Sequence, residues 1–446
     1  MNKPLKGSYT PTILDNRVPY AFRYYHQYIR DWLDYSGKIQ KQLGFYMHLG
    51  GGDVDRDEFP IPTCLTEVLS ESVKKSYFSY THQLGNPFVR DVIAKYENYI
   101  QGINRFTENN VAMVLSSTGG FSMSLKVLLQ HYKYKGNAIL VQPAYPVYEG
   151  VLWKKFKIVK VCGKEDRGFL PTIEDIENSI DSETRFIILT NPSFPFGKFF
   201  SETELERLVT LSNEKKIYII VDEIFYDMGF KPVPNIGSVN QNQDYIIRVK
   251  AFSKDRAAPG IRMGYVLGSE ALMNELNLIV DTSYTCPPTV FDNFIVKDIL
   301  LRTLMKGGYD IDDSRKKENS REFEIIGNYS KELPQYTREV KETISEYIDY
   351  RDLVLSELKA SPYIKAIVPD AGINMGLKID HTGTTYDFFK KMFFNTGVVL
   401  APGEAFDMPK DCGNWYRLTF TNNKEKMVEA LHRVIKFVAD ENKKSR

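Results

Sequence analysis

The sequence predicts an α/β protein in which a large, doubly wound, mainly parallel sheet domain is joined to a smaller α+β domain. Between residues 111 and 270, short β-branched runs alternate with longer amphipathic stretches. The runs "VAMVL", "AILVQ", "RFIILT", "IYIIVDEI", "YIIRVKAF" and "MGYVLG" are apolar throughout, which marks strands buried on both faces, and helical segments between them imply parallel crossovers. Beyond residue 361 the pattern becomes mixed and closes on an amphipathic helix, "NKEKMVEALHRVIKFVADEN".

In chain order, residues 1–60 are expected to form an arm that joins the small domain. They hold "YAFRYYHQYIRDWLDYSGKIQKQ", a helix whose aromatic residues Tyr24, Tyr25, Tyr28 and Trp32 either line the entrance to a site or form a buried face. Residues 61–320 are expected to be the large domain and 321–446 the small one. The charged, Gly- and Pro-punctuated stretch from about 301 to 345 reads as an exposed, partly helical insertion leading into a long helix around "ETISEYIDYRDLVLSELKA".

Bulk properties narrow the function. The 446 residues are 43% hydrophobic and 26% charged, an ordinary globular composition. Lys plus Arg total 58 against 57 for Asp plus Glu, so no net field draws the chain to nucleic acid or an anionic membrane. Cys64, Cys162, Cys286 and Cys412 form neither a disulfide framework nor a metal-binding pair, which fits a reducing compartment and no metal. With no apolar signal core and no run long enough to span a membrane, a cytoplasmic protein is expected. No basic helix-turn-helix segment precedes residue 60, which argues against a DNA-binding regulator.

Ligands of such sheets bind beyond the carboxyl ends of the strands. There, "SSTGGFSMSLKVLLQ" opens a helix after a strand, and Gly119 and Gly120 allow close backbone approach to an anion such as phosphate. Asp222 ends the most apolar strand, where a carboxylate needs a cationic partner. Tyr145 offers a flat face. Lys254 in "AFSKDRAAPGIRMGY" sits among small residues at a strand end, where burial lowers an amine's pKa and makes it nucleophilic, and Arg262 can reach the same phosphate. Phosphate site, flat ring, buried carboxylate and amine together describe pyridoxal phosphate.

With these motifs in this order, the sequence resembles the class I/II aminotransferases, pyridoxal-phosphate enzymes of fold type I, over almost the whole chain. The resemblance implies that Lys254 forms the Schiff base, that Asp222 binds the pyridine nitrogen, and that Tyr145 stacks on the ring. Arg262, Ser253, Asn191 and backbone groups of Gly119, Gly120 and Phe121 would complete the cofactor contacts. Tyr80 in "YTHQLGNPFVR" would reach the phosphate of a neighbouring subunit, implying a homodimer with shared sites. Arg417 in "WYRLTF" would hold the substrate α-carboxylate, and Gly52 in "LGGGD" would lie near the substrate.

The implied reaction is transfer of an amino group from an L-amino acid to a 2-oxo acid; a lyase, decarboxylase or oxidase of an amino acid on the same fold is the alternative. Two departures weigh on that choice. In "NPSFPFG", Phe194 stands where the family has an asparagine that donates to the cofactor's phenolic oxygen, and Phe225 replaces a tyrosine aimed at the same atom. Ala251 also replaces a hydroxyl residue. Losing both donors should keep the lysine imine protonated to higher pH, unless Asn191 or Tyr226 swings in as a substitute.

Overall fold

The computed structural model describes residues 18–75, 78–240, 242–308, 321–326 and 329–444. Its large sheet has seven strands: β2 (Val111–Val114), β3 (Asn137–Gln142), β4 (Lys157–Cys162), β5 (Thr184–Thr190), β6 (Tyr218–Asp222), β7 (Ile246–Ala251) and β8 (Gly264–Leu267). They lie in the order β2-β8-β7-β6-β5-β3-β4. Strands β3 to β7 pair in parallel, while β8 runs antiparallel to both β7 and β2. Two apolar clusters cover the opposite faces: Leu140, Ile188, Ile220 and Val249 point into one, and Ile139, Ile187, Ile219 and Val221 into the other. This double burial is why the strands read as unbroken apolar runs. The edge strand β4, "KIVKVC", escaped that reading because only Val161 is buried in it.

The parallel order sends the ends of β3, β5, β6 and β7 to one rim, where Tyr145, Thr190, Asp222 and Lys254 gather. Helix α4 (Ser116–His131) starts at the same rim, directly after β2. Helix starts elsewhere follow local chemistry. Helix α3 (Pro87–Gln101) opens on Pro87, the Asn86 side chain accepts from Phe88 N at 3.1 Å, and Gly102 closes the helix in the left-handed region.

A second, four-stranded sheet is antiparallel, with β12 (Ala401–Pro402), β13 (Trp415–Thr419), β10 (Asn374–Ile379) and β9 (Ile364–Ile367) in that order. The N-terminal segment packs here. Met47 and His48 (β1) pair in parallel with Val398 and Val399 (β11), and Tyr28 and Ile39 of helix α1 (Tyr20–Leu43) share a core cluster with Met375, Leu377 and Leu418.

Where it is described, the stretch expected as an exposed, partly helical insertion is mainly helical, and several of its residues are buried. Helix α9 (Asp292–Met305) runs into its start, with Leu301, Arg302 and Thr303 buried. The long helix begins at Tyr329 and runs to Leu358, well before the segment expected to start it. Its Tyr336 is fully buried against Arg256 and Asp298, and its Tyr347 and Val354 enter the small-sheet core. Charged residues misled the reading because Arg302 and Asp298 are buried as partners of one another, at 2.6 Å. Residues 309–320 of the stretch lie outside the described residues.

Candidate active site

A cavity of about 240 Å³ lies between the strand-end rim and the small sheet. Its wall brings together Gly52, Tyr145, Asp222, Ser253, Lys254, Arg262 and Arg417 of the residues singled out in the sequence. Ser116, Ser117, Thr118, Tyr148, Thr190, Phe194, Phe225 and Asn374 complete much of the remainder.

Asp222 is buried, and desolvation pushes its carboxyl up to about 6. The Tyr148 hydroxyl, 2.5 Å from Oδ2, and the Ile224 backbone N–H, 3.1 Å from Oδ1, act the other way. No Lys or Arg pairs with it among the described residues. Lys254 lines the same cavity, with its Nζ donating to Gly52 O at 2.5 Å. Burial lowers its amine to about 8; Asp53 opposes that change, and the Arg417 and Arg262 cations reinforce it. The flanking residues are anchored by ion pairs: Asp255 lies 3.0 Å from Arg302, Arg256 lies 2.5 Å from Asp298, and Arg302 also holds Asp227, just past Asp222, at 2.5 Å. One buried guanidinium thus ties the segments carrying Asp222 and Lys254 together.

Arg262 donates to Ser116 Oγ at 2.8 Å and to Pro259 O at 2.8 Å. Both Arg262 (φ 55°) and Ser116 (φ 67°) adopt left-handed backbone, uncommon for residues with side chains and characteristic of functional turns. The first residues of α4 that border the cavity are Ser116, Ser117 and Thr118. Gly119, Gly120 and Phe121, where the sequence reading expected backbone contacts to an anion, do not line the cavity. Gly119 and Gly120 sit inside α4, Gly120 is packed against Val114 and Val266, and Phe121 is buried with its ring 4.0 Å from that of Tyr148. The conspicuous glycine pair drew attention from the "SST" before it, although a strand followed by small hydroxyl residues was the available signal.

Arg417, on β13, is buried, and desolvation lowers its pKa. Its Nη2 donates to Gly50 O, Phe406 and Phe194 lie 4.4 and 5.4 Å from its guanidinium carbon, and it pairs with no carboxylate among the described residues. Gly52 presses against it: a Cβ there would lie 3.2 Å from Nη1, and φ is +70°. Only glycine suits both conditions.

Asn191, Tyr226 and Tyr80 also lie off the wall. Asn191 is buried in the turn after β5, where its Oδ1 accepts from Phe200 N at 3.1 Å. Tyr226 is turned away, its ring 4.5 Å from Lys250 Nζ. Neither reaches the place of a lost donor, and that wall is made of the Phe194 and Phe225 rings. Tyr80 is 88% exposed and contributes nothing to the cavity of its own chain. Of the N-terminal aromatics, Tyr25 reaches the cavity, its ring 6.3 Å from that of Tyr145, whereas Tyr28 and Trp32 pack on His48.

Comparisons with known proteins bear on the family of the chain. The family "Aminotransferase class I and II" matches residues 46–317, well over half of the chain. The chain belongs to the class I and II aminotransferases. This aminotransferase is 25% identical to the aspartate aminotransferase of Sulfolobus acidocaldarius over 91% of its own length and 93% of that protein's. It is 23% identical to the valine–pyruvate aminotransferase of Mycobacterium tuberculosis, covering 91% and 95% of the two chains. Among solved structures, the alanine aminotransferase from Pyrococcus furiosus superposes with a TM-score of 0.76 at 22% identity, covering 96% of this aminotransferase and 99% of that chain. No helix among its described residues is long and apolar enough to cross a membrane.

Proposed function

We propose that the cavity holds pyridoxal phosphate and that Lys254, Asp222, Arg262 and Arg417 carry out transamination between an L-amino acid and a 2-oxo acid. The observation that carries the reading is the charge inventory of the wall: an amine and two guanidinium groups without a carboxylate partner, beside a buried acid without a cation. Each vacancy matches one part of the reacting set. Arg262 and the start of α4 suit a phosphate, Asp222 a protonated pyridine nitrogen, the Lys254 amine an aldehyde carbon, and Arg417 a carboxylate. When bound, pyridoxal phosphate supplies an electrophilic aldehyde and a ring that accepts the electron pair left at the substrate's α-carbon.

The chain's own groups do the rest. Arg417, desolvated between Phe194 and Phe406, orients the α-carboxylate and so fixes which bond at the α-carbon faces Lys254. Lys254, with an amine near neutrality, takes the α-proton and returns it one atom away. Asp222 keeps a positive ring nitrogen in place, steadied by the Tyr148 hydroxyl. Tyr25, Tyr145, Phe194 and Phe225 leave an aromatic surround, and the described wall offers no further cation for a second carboxylate. Neutral, apolar amino acids therefore suit the site best.

The exposed Phe78 and Tyr80 favour a homodimer in which this segment meets the partner's site. The test is a panel of amino acids with 2-oxo acid production followed over time. Equimolar exchange of amino group for oxo group, with phenylalanine or leucine preferred over aspartate, is the expected result. Release of carbon dioxide, or consumption of dioxygen, in place of that exchange would contradict the proposal.

A further inference from the structure

Strands β10 and β13 place one more polar side chain at the carboxylate site. Their register sets Asn374 opposite Thr419 and Gly376 opposite Arg417. Because strand residues alternate faces, Arg417, Thr419, Asn374 and Gly376 share one face of the small sheet. At Gly376 that face is occupied by the Phe196 ring, with which an added Cβ would collide. Asn374 and Arg417 both line the cavity, and Asn374 is only 3% exposed.

A relay fixes the amide's orientation. Gly52 N–H donates to Thr419 Oγ1 at 3.0 Å, which leaves the Thr419 hydroxyl proton free to donate to Asn374 Oδ1 at 2.8 Å. The Asn374 oxygen is thereby used, and its Nδ2 hydrogens have no acceptor among the described residues. An amide donor so little exposed is costly to leave unpaired, and it lies in a cavity that also holds an unpaired guanidinium. Arg417 spends part of its own donor set on Gly50 O. A carboxylate has about four acceptor positions, more than the remaining fork fills.

We propose that Asn374 Nδ2 donates to the substrate α-carboxylate beside Arg417, and that Thr419 is a positioning residue that holds the amide in register. This rests on the reading of Arg417 as the carboxylate site. Asn374 thus supplies an amide donor from the small sheet in a site where Phe194 presents only hydrocarbon. The bond acts on binding of the carboxylate and leaves cofactor capture untouched.

The experiment uses the holoenzyme and two probes: 3-phenylpropanoate, which has the carboxylate but no amine, and 2-phenylethylamine, which has the amine but no carboxylate. Dissociation constants come from calorimetry and from the cofactor's absorbance. Asn374→Ala should weaken 3-phenylpropanoate by about 10- to 100-fold, raise KM for the amino acid more than it changes kcat, and leave 2-phenylethylamine within twofold. Asn374→Asp, isosteric and therefore compatible with the fold, should weaken the acid at least as much because its charge repels the carboxylate. Thr419→Val should give a smaller loss of the same pattern.

If Arg417→Lys weakens the acid while both Asn374 variants bind it like the parent, the proposal for Asn374 is wrong and the reading of Arg417 stands. If none of the three variants affects the acid, both are wrong. Equal loss of the acid and the amine in the Asn374 variants would also overturn it, by showing a general disturbance of the cavity.

Discussion

Replacing Asp222 with asparagine should change how the stability of the cofactor-free protein depends on pH. Desolvation raises this carboxyl from 3.8 to about 6, so the folded state favours its protonated form. The sign follows from linkage. The group's contribution to stability is fully present below 3.8 and is lost as pH rises through about 6, where the buried carboxylate must ionise without a cation. The gap between the two values corresponds to about 3 kcal/mol.

Asparagine is neutral in both states and has no such swing. It also leaves either the Tyr148 hydroxyl or the Ile224 N–H short of an acceptor, which costs about 1 kcal/mol at every pH. Urea unfolding of parent and Asp222→Asn from pH 3.5 to 7.5 should therefore show the variant weaker at the acidic end and gaining on the parent by about 3 kcal/mol across the range. Saturating pyridoxal phosphate should remove most of the parent's deficit, since a protonated ring nitrogen supplies the missing charge. Parallel stability profiles for the two proteins would refute the claim that Asp222 is an uncompensated buried acid.

Other groups give shorter tests. Tyr148→Phe should enlarge the parent's pH swing, because the lost hydroxyl is one of the contacts that hold the Asp222 carboxyl down; a swing of unchanged size would remove Tyr148 from this role. Arg417→Lys keeps the charge but not the fork, so KM for the amino acid should rise by about 10- to 100-fold with a smaller effect on kcat, as steady-state kinetics would read directly. Phe225→Tyr restores a donor towards the cofactor's phenolic oxygen, and the midpoint of the absorbance titration should fall relative to the parent, whose own midpoint should not lie well below neutrality.

Much of this was legible in the chain because strand-end chemistry is local in sequence. Lys254, Arg262 and Asp222 each sit within a few residues of an apolar run, so the run places them. The edge strand β4 lacked that signal because most of it faces water. The part of α4 that borders the cavity, Ser116 to Thr118, was passed over because a glycine pair is a more visible mark than the point where α4 starts. Asn374 left no trace at all. Its position depends on the pairing of β10 with β13, two strands separated by a helix and several turns, and on a relay through Thr419 that no spacing encodes. The anchoring by Arg302 was likewise hidden, since a charged helix reads as exposed until the acids that bury it are seen.

The central claim is that the Lys254 amine joins covalently to pyridoxal phosphate in a cavity where Asp222 holds the ring. Borohydride reduction of the purified holoenzyme, followed by peptide mapping, tests it most directly. The account predicts a single pyridoxyl-labelled peptide bearing the label on Lys254, and no label on the Lys254→Ala protein. A colourless protein that takes up no cofactor, or a label on a different lysine, would contradict it.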